Sequence, residues 1–395
     1  MGNFDLNSHK TIAIMMPKIV CDDKIPFLRG VFEPWAEVVY LPGAAISRAD
    51  VAAADALVTR TRTSCTRELL EGSRVRVIAS ATIGYDHIDT AWCEAHGIRW
   101  FNAPGCNASS VCQYVCSVLC VLARDMGLDF RKTTLGVVGV GNVGSRVASA
   151  ARALGMKVLL CDPPRARREG AEGFTDIGTI VARSDIISLH VPLIRSGEDR
   201  TEHLFDARML SRMRPDQILI NTSRGQVVDC RALKAALEVS RIAAAVLDVW
   251  EGEPGIDRGL LDAVAIGTPH IAGYSADGKA AGTAAAVRAV SRVLGLPAAD
   301  WSPAEIPAPR RNPVLGLECG TGAVMETVSE AVLYAYDVRE DSLTLKKSPG
   351  LFEKLRGDYP VRRETSAFEV RLSGGGSAEA ARVLSALGFR TGAGR

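Results

Sequence analysis

The chain lacks the cysteine spacing of a zinc site or a dithiol centre: its 10 cysteines include no Cys-x-x-Cys pair. Scattered through 395 residues, they read as free, reduced thiols, and no metal is expected. A basic excess is also missing. Lys and Arg total 47 against 45 Asp and Glu, a formal net charge of +2 without a long run of like charge, which argues against nucleic acid as a partner. The longest apolar stretch, Val111–Ala123, is interrupted by Gln113 and is too short to cross a bilayer. The opening MGNFDLNSHK is polar, with no apolar signal region, and Leu6 stands where a myristoylation signal wants Ser or Thr. A cytoplasmic protein without a membrane partner is the expectation.

What is present is a dinucleotide-binding pattern at Thr133–Asp162. An apolar strand leads into Gly139-Val140-Gly141-Asn142-Val143-Gly144, a helical segment follows, and a second strand, Lys157–Cys161, ends on Asp162. Gly139 permits the tight turn, Gly141 lets backbone approach a pyrophosphate, and Gly144 lets helix and strand pack closely. Asn142 and Val143 open the helix whose N-terminus faces the phosphates. Asp162 is placed to accept hydrogen bonds from an adenosine ribose; its carboxylate favours a free 2'-hydroxyl over a 2'-phosphate, so NAD is expected rather than NADP. Arg165, Arg167 and Arg168 are the opposing signal. Pro163-Pro164 before them suggests an extended path, with the arginines a solvated run.

Apolar runs at Lys10–Met16, Val38–Leu41, Ala56–Thr59 and Val75–Ser80 alternate with helical stretches, as in an open parallel sheet. A helix at Asn107–Met126 follows, carrying Cys112, Cys116 and Cys120 along one face as core residues. Further strands are expected at Ile186–His190, Ile218–Asn221, Ala244–Asp248 and Ala265–Gly267. An Ala-rich helix, Ala280–Leu294, can return to the first half. Prolines 297, 303, 307, 309 and 313 then break regular structure. Beyond them a helix around Met325–Tyr336, a strand at Ala367–Leu372, a Gly-rich turn and a helix at Ala378–Leu387 are expected. The fold class is α/β: two doubly wound, Rossmann-like parallel-sheet domains and a small α+β C-terminal dimerisation domain. The boundaries are 1–107 with 275–300 for the substrate domain, 108–274 for the NAD-binding domain, and 301–395 for the third.

In such sheets ligands gather beyond the carboxyl ends of the strands. Three strand ends carry Arg224, Glu253 and His270. An Arg fork can hold a carboxylate and polarise a neighbouring oxygen. A His can exchange a hydroxyl proton near neutral pH, and a Glu on its far nitrogen fixes the tautomer. Singly, each has a bland explanation: a surface charge, a helix-start acid before Pro254, a satisfied buried histidine. Together, after consecutive strands downstream of a nucleotide fold, they point to chemistry.

The set VGVGNVG, CDPP, HVPL, NTSRG, DVWEGEP and PHIAGYS resembles the D-isomer-specific 2-hydroxyacid dehydrogenase family over residues 10 to 300. The resemblance implies that Arg224 binds the substrate carboxylate and carbonyl, Glu253 orients, and His270 is the acid/base. It implies NAD contacts at Asp162, Val191, Thr222, Ser223, Asp248 and Gly273, and substrate contacts at Thr61, Thr82 and Tyr274. At Val191 only the backbone can donate or accept. Arg60 and Arg62 flank Thr61 and could neutralise a phosphate, a solvated face being the alternative for Arg62; Cys106 shapes a loop over the site. The blocks Asn102–Ala108 and Gly273–Lys279 and the C-terminal extension narrow the implied reaction to oxidation of 4-phospho-D-erythronate to 2-oxo-3-hydroxy-4-phosphobutanoate, a step in vitamin B6 synthesis. Oxidation of 3-phosphoglycerate, or glyoxylate/hydroxypyruvate chemistry, uses the same trio and remains an alternative; an NAD(H)-sensing corepressor is another. A homodimer is implied, with Val324, Val328, Val332 and Leu333 forming either a partner-facing stripe or part of the monomer core.

Overall fold

The computed structural model describes residues 16–394. The strand expected at Lys10–Met16 lies outside them except for its last residue, and the first described strand is Lys18–Asp22. The chain divides into two compact units. Among the described residues, one comprises 16–104 with Ala280–Ala304; the other comprises Gly105–Lys279 with 305–394.

The first unit is built on a five-stranded parallel sheet of β1 (Lys18–Asp22), β2 (Glu37–Leu41), β3 (Ala56–Thr59), β4 (Val77–Ser80) and β5 (Arg99–Phe101), in the order β2-β1-β3-β4-β5. β3 and β4 are buried at every residue, which is why they read as unbroken apolar runs. β5 is a short, partly exposed edge strand, without the apolar pattern by which a strand is recognised. Ala286, Val287, Val290 and Val293 of helix Ala276–Leu294 pack with Ile19, Cys21, Val58 and Val77.

The second unit holds a six-stranded parallel sheet of β6 (Thr134–Val138), β7 (Lys157–Cys161), β8 (Ile186–Leu189), β9 (Ile218–Asn221), β10 (Ala244–Leu247) and β11 (Ile266–Gly267), in the order β11-β10-β9-β8-β6-β7. From β6 the chain goes to one side for β7 and to the other for β8. That reversal opens a crevice at the carboxyl ends of β6 and β8, the place where doubly wound sheets take their ligands.

Helix Ala108–Met126 ends at Gly127, whose φ of 68° suits glycine. Its run from Gln113 to Leu122 is buried throughout, so it must be covered on all sides. One side packs with Leu135 and Val137 of β6; Val324, Val328 and Val332 of helix Val324–Ala335 belong to the same core. The three valines therefore face inward within the chain, while Leu333 of the same stripe is only partly buried. Cys116 and Cys120 are buried in that core, and Cys112 packs against it partly buried.

The residues beyond the proline-rich segment also form a small parallel sheet, β12 (Val314–Glu318), β13 (Glu369–Ser373) and β14 (Arg390–Ala393), in that order. Helix Ser377–Ala386 links β13 to β14. β14, polar and glycine-containing, carries no strand signature in the sequence. The turn after β13 requires glycine: a Cβ on Gly374, at φ 91°, would meet the Cys319 carbonyl at 2.5 Å. Polar bonds tie this segment to helix Ala108–Met126, with Val338 N–H donating to Ser117 Oγ at 3.0 Å and Gln113 Nε2 donating to the Arg363 carbonyl at 3.0 Å. Among the described residues no helix is long and apolar enough to cross a membrane, and no cluster of three His, Cys, Asp or Glu could hold a metal.

Because helix Val324–Ala335 covers an otherwise apolar helix, truncation after Pro313 is expected to leave a chain that aggregates or unfolds without a sharp transition. Size-exclusion profiles and thermal melts of the truncated and full chains check this.

Candidate active site

The glycine turn sits at the β6/β8 crevice. Gly139 has φ 85°, and a Cβ there would meet the His190 carbonyl at 2.6 Å and Val191 Cγ1 at 2.8 Å. Glycine is thus required for β6 and the end of β8 to approach. Gly144 is tighter still, since a Cβ there would lie 1.9 Å from the Gly139 carbonyl. Gly141 is the opposite case: nothing lies within 4 Å of a Cβ placed on it, and it opens helix Asn142–Ala153. Asn142 and Gly141 are exposed and Val143 half-buried. The Asn142 side chain lies against Gly105, where a Cβ would approach it to 3.2 Å. His190 is held by Ser188 Oγ at 2.9 Å and Thr222 Oγ1 at 3.2 Å. Burial pushes its imidazole down to about 3, so it stays neutral.

Asp162 accepts from Val140 N–H at 2.8 Å and Arg165 N–H at 3.0 Å, binding the glycine turn to the start of helix Pro163–Glu169. The two prolines occupy the first positions of that helix rather than an extended path, because proline's fixed φ and missing N–H suit a first turn. Each of the three arginines has an acid: Arg165 and Arg168 pair with Glu169, and Arg167 with Asp199 and Glu198.

Beyond β9, Asn221 Oδ1 accepts from Ser223 N–H at 3.0 Å and Ser223 Oγ at 2.7 Å, while its Nδ2 donates to the Arg224 carbonyl at 2.9 Å. These bonds lock the turn that presents half-buried Arg224, whose Nη1 donates to the Ser223 carbonyl at 2.8 Å. Gly225 packs on the next strand end, since a Cβ there would lie 2.1 Å from the Trp250 carbonyl group. Trp250 N–H donates to Glu253 Oε1 at 2.8 Å, and Glu253 Oε2 accepts from His270 Nδ1 at 2.8 Å. Arg224, Glu253 and His270 are thereby tied into one construction through the Trp250 backbone. An ionised carboxylate can only accept, so the Nδ1 proton points to Glu253, and in the neutral imidazole it is then Nε2 that carries the lone pair, the tautomer of a base. Burial alone would raise the Glu253 carboxyl; the hydrogen bond and charge of His270, the Trp250 N–H and the Arg356 charge outweigh it and hold the group below its ordinary value.

Asp248 is 1% exposed and organises the loop that carries His270. It accepts from Thr268 Oγ1 at 2.6 Å, Ile271 N–H at 2.7 Å and Ala272 N–H at 2.9 Å, and its carbonyl accepts from His270 N–H at 2.8 Å. His270 has φ 56°, a left-handed conformation uncommon for a side chain with a Cβ and held here by those bonds. Gly273 packs against Asn107 so closely that a Cβ would overlap its side-chain amide. The loop's other support comes from far along the chain. Buried Arg362 donates to the Ala272 carbonyl at 2.5 Å, and Arg356 Nε donates to the Tyr274 hydroxyl at 3.0 Å. Sequence spacing shows neither arginine as a site residue, because no motif surrounds them and more than 80 residues separate them from their partners.

Thr61 and Thr82 belong to the first unit. They follow the adjacent strands β3 and β4, Thr61 exposed and Thr82 half-buried. Thr82 Oγ1 donates to the Gly84 carbonyl at 3.0 Å, and Asn102 Nδ2 donates to the Ile83 carbonyl at 2.7 Å, which fixes the turn after β4. Arg60 Nη1 donates to the Lys24 carbonyl at 3.3 Å, and Arg62 is exposed. Cys106 is partly buried, with burial pushing its thiol up to about 12, far from a reactive thiolate.

Residues 121–272 match the family model described as D-isomer specific 2-hydroxyacid dehydrogenase, NAD binding domain, and residues 313–388 match a domain of unknown function. The chain is 47% identical over 354 residues to a protein of Bacteroides fragilis named erythronate-4-phosphate dehydrogenase, covering 89% of this chain and 99% of that one. The chain belongs to the D-isomer-specific 2-hydroxyacid dehydrogenase family. A relative of the same name from Edwardsiella ictaluri is 43% identical, covering 94% of this chain and 98% of its own. Among solved structures, a D-lactate dehydrogenase from Aquifex aeolicus complexed with NAD and lactic acid superposes with a TM-score of 0.61 at 26% identity, covering 70% of this chain and 96% of that one.

This dehydrogenase is an NAD-dependent oxidoreductase. Its residues fit a dinucleotide: the open face of Gly141, the exposed start of a 12-residue helix, and the Asp162 carboxylate beside the turn. The three nearby arginines are partly exposed and paired with acids, as in a solvated charge run.

Two outcomes follow for the dehydrogenase. Gly144→Ala should cost about 1–3 kcal/mol in urea unfolding, the range for overpacking, whereas Gly141→Ala should fold normally and weaken NAD, as read by calorimetric titration. Glu253 has a depressed folded-state pKa, so its contribution is present above the unfolded value of about 4.3 and lost as pH falls through the folded value. The stability gap between the native chain and Glu253→Gln should accordingly be open near neutrality and close in acid, in unfolding curves measured across that range.

Proposed function

We propose that this chain oxidises 4-phospho-D-erythronate to 2-oxo-3-hydroxy-4-phosphobutanoate, using NAD. The observation that carries the chemistry is the 2.8 Å bond from His270 Nδ1 to Glu253, built onto the same backbone that seats Arg224. The substrate is inferred from relatives that carry the erythronate-4-phosphate dehydrogenase name and match along nearly their whole length.

In this reading His270 Nε2 removes the proton from the C2 hydroxyl as C2 becomes a carbonyl carbon, and the resulting imidazolium is stabilised by Glu253. Arg224 holds the C1 carboxylate and the developing carbonyl oxygen with its planar fork. Bound NAD supplies the acceptor for the hydride leaving C2. Gly139, Gly141, Asn142, Val143 and Gly144 would cradle its pyrophosphate and Asp162 its adenosine ribose. Val191, Thr222, Ser223, Asp248 and Gly273 would be further NAD contacts, although Asp248, with its carboxylate buried and taken up by its own loop, would act through that loop. Thr61, Thr82 and Tyr274 would contact substrate.

The same reading makes the protein a cytoplasmic homodimer, with residues 301–395 as the dimerisation domain, 1–107 with 275–300 as the substrate domain and 108–274 as the NAD-binding domain. Leu343 and Leu351, exposed at 55% and 48%, are apolar side chains the C-terminal region leaves uncovered.

NADH formation should be rapid with 4-phospho-D-erythronate and slow with 3-phosphoglycerate; the reverse preference would reject the substrate. His270→Gln should lower turnover by roughly two orders of magnitude or more, the scale of lost general-base catalysis, while NAD still binds. Arg224→Lys should be similarly severe because an ammonium cannot reproduce a bidentate fork. Near-normal turnover in either variant would remove that residue from its role.

A further inference from the structure

Tyr274 follows the catalytic histidine in the same loop, and two cations meet it. Arg356 Nε donates to its hydroxyl at 3.0 Å, with the guanidinium carbon 5.7 Å from the ring centroid. Lys279 Nζ lies 4.8 Å from the same centroid. The Arg356 side chain is only 16% exposed, so its charge is screened less than that of a surface arginine. Its contact with Glu353, at 3.8 Å and with that carboxylate 41% exposed, is too long for a hydrogen bond and too wet to count for much. The Arg356 charge also falls on Glu253, which places it in the electrostatic field of the acid/base pair.

The reaction needs a group for the far end of its substrate. Arg224 and His270 account for the carboxylate and the C2 hydroxyl but not for the terminal phosphate dianion; of the arginines beside Thr61, Arg60 already donates to the Lys24 carbonyl and Arg62 is an exposed side chain. A guanidinium and an ammonium about one tyrosine, with the phenol as an additional donor, are complementary to such a dianion. We propose that Arg356 and Lys279, gathered around Tyr274, recognise the terminal phosphate of the substrate. This rests on the phosphorylated 2-hydroxy acid proposed above. It also gives the region matched only by a domain of unknown function a direct part in substrate choice, since Arg356 belongs to it.

The test compares the native enzyme, Arg356→Gln, Arg356→Lys and Lys279→Gln, each loaded with NAD. The first measurement is kcat/KM for 4-phospho-D-erythronate divided by that for unphosphorylated D-erythronate. Loss of one charge-assisted hydrogen bond corresponds to roughly tenfold or more, and each Gln variant should lower the ratio by that much, mainly through KM, with Arg356→Lys between. The second is binding of inorganic phosphate by calorimetric titration, which needs no turnover and so stands if the substrate reading fails. Native enzyme should bind phosphate and the Gln variants should bind it at least tenfold more weakly. Thermal melts and NAD titrations identify a misfolded variant, in which case Lys279→Gln decides. An unchanged ratio with unchanged phosphate binding would overturn the proposal, as would a native enzyme that turns over phosphorylated substrate but binds phosphate no better than its variants. A native enzyme that binds phosphate through these residues yet ignores 4-phospho-D-erythronate would support the site and reject only the substrate.

Discussion

The buried carboxylate of Asp248 is the interaction on which the loop carrying His270 depends. A carboxylate removed from water is costly unless its oxygens are matched by donors, and here the donors are Thr268, Ile271 and Ala272. Burial pushes its carboxyl up, with the charge of His270 and those hydrogen bonds pulling the other way. Matching them forces the chain to wrap tightly around one point. His270 sits at the centre of that wrap, in a left-handed backbone conformation that an isolated loop would abandon. Tyr114 on helix Ala108–Met126 reaches the same cluster through Thr268 Oγ1 at 2.8 Å, so the loop is braced against the most buried helix of its unit.

A second brace comes from the C-terminal residues. Asp341 accepts from Tyr336 and Tyr359 hydroxyls at 2.7 Å each, and the Arg362 guanidinium lies 4.4 Å over the Tyr336 ring while donating to Ala272. Arg362 is 6% exposed, and its Nε and Nη1 have no hydrogen-bond partner among the described residues; the aromatic faces and the Asp341 charge offset part of that cost. The region that packs against the nucleotide-binding sheet thus also holds the backbone two residues past the histidine. Packing of the C-terminal segment and the geometry of the loop that carries His270 share the same side chains, so that segment is no passive appendage of the loop.

Much of this was legible along the chain. Strands β8, β9 and β10 are short runs buried on both faces, which leaves little room for polar residues and makes their ends conspicuous. Glycines 139 and 144 were readable because a backbone contact below van der Waals distance admits no other residue. Asp162 was readable as an acid at the end of β7, although its bonds to Val140 and Arg165 and its helix-capping position were not. Pro163-Pro164 misled because the same dihedral restriction serves an extended segment and a helix's first turn. The inward packing of Val324, Val328 and Val332 was undecidable from periodicity, since a stripe at helical spacing looks the same whether it covers a neighbouring helix or another chain.

The sequence by itself determined the alternation of strand and helix and the dinucleotide turn, and singled out Arg224, Glu253 and His270 as candidates, because local sterics set the former and only certain side chains can perform the chemistry proposed for the latter. Tertiary structure decided which nitrogen of His270 is free, that Asp248 shapes the loop, and that Arg356 and Arg362 meet that loop. Those outcomes depend on pairings between residues far apart in the chain. No local spacing encodes such a pairing; it exists only once two segments are packed against one core.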